Sequence, residues 1–190
     1  MKDVVVISSA DFLGVDHPAG PVGSYDTDFD EFVRARSQGL CRAAFLLTGD
    51  RHLAEDLVQT VLAKVYGKWS RIVAKGDPAP YVRAVLVRQS IAWRRRRWHG
   101  EVPTSALPET GSTDQGSAVD ARDRLYRALG ALPARQRAAV VLRYYEDLSE
   151  IDTAAAMGCS VGTVKSQTAK GLAHLRAVMV DAVPVPRGDV

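Results

Sequence analysis

From Asp28 onward the apolar positions recur at helical spacing, with Phe29, Phe32, Val33, Leu40, Ala44 and Phe45 falling on one face. Asp28 stands three residues before Glu31, a capping-box-like start, and the pattern predicts a helix from there to about Leu47. Thr48-Gly49-Asp50 is turn chemistry. Beyond it Leu53, Leu57, Val58, Val61, Leu62, Val65 and Trp69 form a broad apolar stripe opposed by Glu55, Asp56, Gln59 and Lys64, which predicts a second helix, Arg51 to Trp69. "AKGDPAP", Ala74 to Pro80, breaks the periodicity, and Tyr81 to Trp98 resumes it with Val82, Val85, Leu86 and Trp93 apolar. Three such helices make one small domain.

The stretch from His99 to Ala118 is rich in Pro, Gly, Ser and Thr and holds three acids but no Lys or Arg, the composition of a linker. Asp120 to Leu132 is helical in pattern until Pro133 ends it, and Arg135 to Glu146 carries another helix around Val140, Val141 and Tyr144. Ser149 and Asp152 have cap and third-position spacing, and the short helix they open closes at Gly158, suited to a left-handed terminal residue. Ser160 caps the next helix. Helix, tight turn with Gly, helix is the helix-turn-helix pattern. The fold class expected is all-α, two small helical domains joined by a flexible linker. Its boundaries are a flexible acidic extension over 1–27, a first domain over 28–98, a linker over 99–118, a second domain over 119–180 and a tail over 181–190.

Charge changes the picture by its placement. The 190 residues, 46% apolar, carry a net charge of only +3. Yet Met1 to Val33 holds seven acids and one lysine, whereas Arg83 to Arg97 holds six arginines and no acid. No apolar run nears the ~20 residues of a membrane span, so a cytoplasmic protein with no membrane partner is expected. Cys41 and Cys159 lie far apart without a CxxC or Cys/His cluster, so neither a metal site nor a disulfide framework is expected, and both read as buried thiols. There is no G-x-x-x-x-G-K loop and no H-E-x-x-H, and the four histidines are scattered. No catalytic residue and no cofactor is assigned, and the chain is not read as an enzyme.

Within "IAWRRRRWHG" four consecutive arginines, Arg94, Arg95, Arg96 and Arg97, point all around a helix that turns once per 3.6 residues. That suits a helix end wrapped by a polyanion, with guanidinium forks on phosphates and indoles stacking on exposed bases. A solvated basic helix end whose charges complement the helix dipole, with Trp93 and Trp98 packing inward, accounts for the same run. In the last helix Ser160, Thr163, Lys165, Ser166, Gln167 and Lys170 can donate to phosphates or bases. A plain helical hairpin of an all-α core also fits that pattern, but its coexistence with a separate basic helix favours DNA.

"AEDLVQTVLAKVYGKW", "YVRAVLVRQSIAWRRRRW" and "LPARQRAAVVLRYYEDLSEIDTAAAMGCSVGTVKSQTAKGLAHLR" resemble regions 2 and 4 of extracytoplasmic-function sigma factors, the smallest group of the sigma-70 family, over about Asp28 to Met179. The resemblance implies core RNA polymerase, through its clamp and flap regions, and promoter DNA as partners, and admits an anti-sigma factor. It implies that Asp56, Gln59 and Thr60 face the clamp. It implies that the helix bearing Arg83, Arg88, Trp93 and Arg94 to Arg97 holds the melted −10 element, and that Ser160, Thr163, Lys165, Ser166, Gln167 and Lys170 read the −35 element. Here the chain departs from the family's pattern at four places. Arg88 stands where Asn is frequent, Ala92 where Asp is frequent, Thr60 where Glu is usual and Gln167 where Arg is frequent. Gln favours adenine bidentately where Arg favours guanine.

A spacer of about 17 base pairs at ~3.4 Å each separates two such elements by roughly 58 Å. Twenty linker residues extend to at most ~70 Å, so the chain can reach. The alternative function is a free-standing helix-turn-helix DNA-binding regulator whose first domain serves dimerisation or sensing.

Overall fold

The computed structural model describes residues 25–100 and 118–180. The extension before residue 25, most of the expected linker and the tail lie outside the described residues. In the first module α1 spans Tyr25–Thr48, α2 Arg51–Tyr66, α3 Trp69–Val73 and α4 Ala79–Gly100. In the second, α5 spans Ala118–Ala131, α6 Ala134–Val140, α7 Glu150–Met157 and α8 Val161–Val180.

The turns do what their residues dictate. Gly49 takes a positive φ of 79° after α1, and the Thr48 hydroxyl closes the helix end by donating to the Ala44 carbonyl at 2.9 Å. Asp50 then caps α2, its carboxylate accepting from the Leu53 amide at 2.8 Å. Asp77 accepts from the Ala79 amide at 2.9 Å, and Pro80 lies in the first turn of α4, where its missing N–H costs nothing. Ser149 caps α7 by accepting from the Asp152 amide at 3.0 Å while its hydroxyl donates to the Asp152 carboxylate at 2.6 Å. Gly158 ends α7 in the left-handed conformation, and the Ser160 hydroxyl accepts from the Thr163 amide at 3.2 Å.

Three expectations are corrected. α1 begins at Tyr25, so Asp28 lies inside its first turn and is not its cap, and residues 25–27 belong to the helix rather than to the extension. The second helix stops at Tyr66, and Trp69 opens a separate short helix in which its indole is buried edge-on against Phe29, ring centroids 5.0 Å apart. The helix expected over Arg135 to Glu146 widens after Val140. The Glu146 amide reaches back five residues to the Val141 carbonyl at 3.1 Å, and the Leu148 amide six residues to that of Leu142 at 3.0 Å.

The core is shared. One apolar cluster runs from Phe29, Leu57, Val61 and Val65 through Val82, Leu86 and Val87 of α4 into Ala138, Leu142, Ala154, Met157 and Val164 of the second module. A smaller cluster joins Leu129 and Leu132 to Val140 and Leu175, with Leu46 of α1 packed against it. Each fully buried Leu is worth about 2 to 3 kcal/mol relative to exposure. Helix α4 packs against α2 on one side and against α7 and α6 on the other.

Candidate nucleic-acid interface

On α2 the apolar positions face inward, which leaves Asp56 and Gln59 exposed and Thr60 half-buried on the outward side. The three are one helical turn apart at most and share a polar surface. The neighbouring Arg51–Glu55 pair, at 3.2 Å, is exposed and adds little to stability.

Three arginines of α4 bond the second module, Arg83 and Arg94 half-buried and Arg88 exposed. Arg83 Nε meets the Glu146 carboxylate at 2.9 Å, with both side chains mostly covered. Arg88 Nε donates to the Ala156 carbonyl at 3.0 Å and its Nη2 to the Ala155 carbonyl at 2.6 Å. Those carbonyls close the C-terminal end of α7, where the helix leaves acceptors unmet and the dipole favours a cation. Arg94 Nη2 donates to the Gly130 carbonyl in α5 at 2.8 Å. Trp93 is half-buried against the shared core, so the indole serves packing as well as any stacking. Arg95, Arg96 and Arg97 continue the helix, and their side chains lie outside what is described.

In α8 the arrangement is open. Ser160, Lys165, Ser166 and Lys170 are exposed, and Thr163 and Gln167 are half-buried beside them. The inward face is held by Val164 and Leu175. Lys165 approaches the Glu150 carboxylate at 3.5 Å with both side chains well exposed, a contact that a phosphate would readily displace. The six residues therefore form a donor-rich surface at the start of the second helix of the helix-turn-helix.

Two features went unread in the sequence. A cleft of about 340 Å³ opens at the junction of α3 and α4, lined by Lys68, Arg71, Ile72, Lys75, Asp77, Pro80 and Tyr81. Its cations sit three and four residues apart, a helical spacing obscured by the breaker between the two helices. The second is Arg137, only 1% exposed, which donates to the Leu47 carbonyl of α1 at 3.1 Å and also to the Gly130 carbonyl. Its Nε has no partner. Burial and the nearby Arg94 charge pull its pKa down to about 9, so the guanidinium still enters the interior charged at neutral pH.

The thiols were expected to be buried, but both are half-buried; they are unpaired, and burial, with Glu55 nearby, pushes Cys41 up from its ordinary value. Among the described residues no cluster of His, Cys, Asp or Glu could hold a metal, and no helix is long and apolar enough to cross a membrane.

The model of sigma-70 region 2 matches residues 32–100 and that of sigma-70 region 4 matches residues 122–175. The chain is 42% identical over 153 residues to the RNA polymerase sigma-E factor of Streptomyces coelicolor, covering 80% of this chain and 86% of that one. It is 31% identical over 148 residues to the ECF RNA polymerase sigma factor SigL of Mycobacterium tuberculosis, covering 74% and 82%. In fold it is similar to the sigma factor RpoE of Bartonella quintana, solved in complex with the anti-sigma factor NepR, with a TM-score of 0.63 at 24% identity, covering 83% of this chain and 99% of that one. With helices, caps and both matched regions in register, the chain belongs to the extracytoplasmic-function sigma factors of the sigma-70 family.

Proposed function

We propose that this sigma factor divides its task between two cationic helical faces, α4 for the melted −10 strand and α8 for the −35 duplex, while the outward face of α2 meets core polymerase. The observation that carries the reading is the pair of donor-rich helices on separate modules, each backed by buried apolar residues. Arg83, Arg88 and Arg94 supply forks for phosphates, Trp93 supplies a ring edge, and the cleft of Lys68, Arg71 and Lys75 extends the cationic surface toward α3. Ser160, Thr163, Lys165, Ser166, Gln167 and Lys170 lie where the first turns of a recognition helix enter a major groove. Asp56, Gln59 and Thr60 offer polymerase an acidic and polar patch. The chain contributes binding and positioning and no catalysis of its own, and it works in the cytoplasm beside polymerase and chromosome.

Run-off transcription with purified core polymerase, alongside footprinting without it, tests this. A promoter-dependent transcript that requires both the chain and the core is expected. Promoter protection by the chain alone, with no initiation when core is added, would overturn the reading in favour of a free-standing regulator.

A further inference from the structure

The cations of the α3–α4 cleft are unanswered. Lys68, Arg71 and Lys75 are exposed, and among the described residues none of the three forms an ion pair. Asp77, which lines the same cleft, is committed to the Ala79 amide at 2.9 Å. Beside the cations the lining is apolar: Ile72 is buried, Pro80 adjoins it, and the Tyr81 ring is 42% exposed. A ligand that joins carboxylates to apolar side chains satisfies both parts of this lining.

The chain carries such a segment next to the cleft. Phe29 and Phe32 of α1 pack on Trp69 of α3, ring centroids 5.0 and 5.1 Å apart, and Trp69 stands between Lys68 and Arg71 in sequence. α1 begins at Tyr25, so residue 24 precedes that contact by about 8 Å along the helix axis. Residues 1–24 hold Asp3, Asp11 and Asp16 against Lys2. Within them "ADFLGVD", Ala10 to Asp16, sets Phe12, Leu13 and Val15 between two of the acids. The stretch from Asp16 to Ser24 spans up to ~30 Å, enough to carry Asp16 over the cations. A tether that short holds the segment at an effective concentration on the order of millimolar, so a contact too weak for a free peptide is populated.

We propose that Ala10 to Asp16 docks in the α3–α4 cleft and competes there with nucleic acid, giving the chain its own displaceable blocker of the strand-binding surface. The competition rests on the cleft belonging to that surface; the docking does not.

Two measurements on the full chain decide the matter. With p-benzoylphenylalanine in place of Phe12, irradiation should give cross-links within one chain that map by mass spectrometry to residues 68–81. Arg71→Glu/Lys75→Glu should reduce their yield severalfold. Cross-links that scatter along the chain, a yield unmoved by that double substitution, or cross-linked dimers in their place would overturn the docking. Binding of a labelled single-stranded oligonucleotide of mixed sequence is then compared between Asp11→Asn/Asp16→Asn and Glu109→Gln/Asp114→Asn, which change net charge equally. Competition predicts that the first binds about threefold or more tightly than the second, because apparent affinity scales with the competent fraction. Equal affinities would overturn the competition. If no form of the chain binds single strands, the assignment of the cleft to DNA fails and the competition with it, while the cross-link map still decides whether the segment docks.

Discussion

Arg137 shows what a single residue does to this fold. It stands ninety positions from the carbonyl it bonds in α1, inside a helix whose periodicity gives no hint that a charge should turn inward. Removing it leaves two buried carbonyls with one donor fewer and a cavity between helices, so Arg137→Ala should lower stability by about 3 kcal/mol. Arg137→Lys should lose less, because an ammonium satisfies one carbonyl but cannot fork between two. Urea unfolding with an unchanged slope and a lower midpoint for both, Ala below Lys, is the expected result. Trp93 carries a different test. Its ring is half-buried next to the arginines, so Trp93→Ala should impair strand opening more than closed-complex formation. Permanganate reactivity at the start site should fall in that variant while footprints of the closed complex persist.

At the scale of elements, α8 lies so close to α6 that a Cβ built on Gly171 would stand 2.7 Å from Val140 Cγ2 and 3.3 Å from the Gln136 carbonyl. Gly171→Ala should therefore cost about 1 to 3 kcal/mol, against the gain that Ala brings to an unconstrained helix. Thermal unfolding of the variant reads this directly. The exposed cations of the same helix act on affinity rather than on fold. Lys170→Ala should weaken promoter binding and reduce the salt slope by about one unit, and Lys165→Ala should do so less because Glu150 already engages its ammonium. An unchanged slope in both would count against their contact with phosphate. Most of these elements were legible: Asp50, Ser149, Gly158 and Ser160 cap or close helices as their residue types dictate. The break at Gly67 was missed because the apolar stripe continues in phase through Trp69. The widened turn after Val140 was missed because no local residue announces it.

At the scale of the molecule, the sequence carried the all-α class, the helix-turn-helix and the uneven charge. It did not carry the way the modules meet. Arg83 and Glu146 lie 63 positions apart, and nothing in either neighbourhood pairs them. The cleft at the α3–α4 junction was hidden because Lys68 and Arg71 precede, and Lys75 lies within, a segment that reads only as a breaker.

The acceptors at that meeting have a genetic consequence. Arg88 and Arg94 bond main-chain oxygens of the second module, Arg137 bonds one of the first, and Arg83 bonds the Glu146 carboxylate. Backbone oxygens survive almost any substitution at their own positions, so the second module can drift in sequence without losing its hold on Arg88 and Arg94. A search for compensating mutations should accordingly return changes at position 146 and leave 130, 155 and 156 silent, although those positions hold more of the grip.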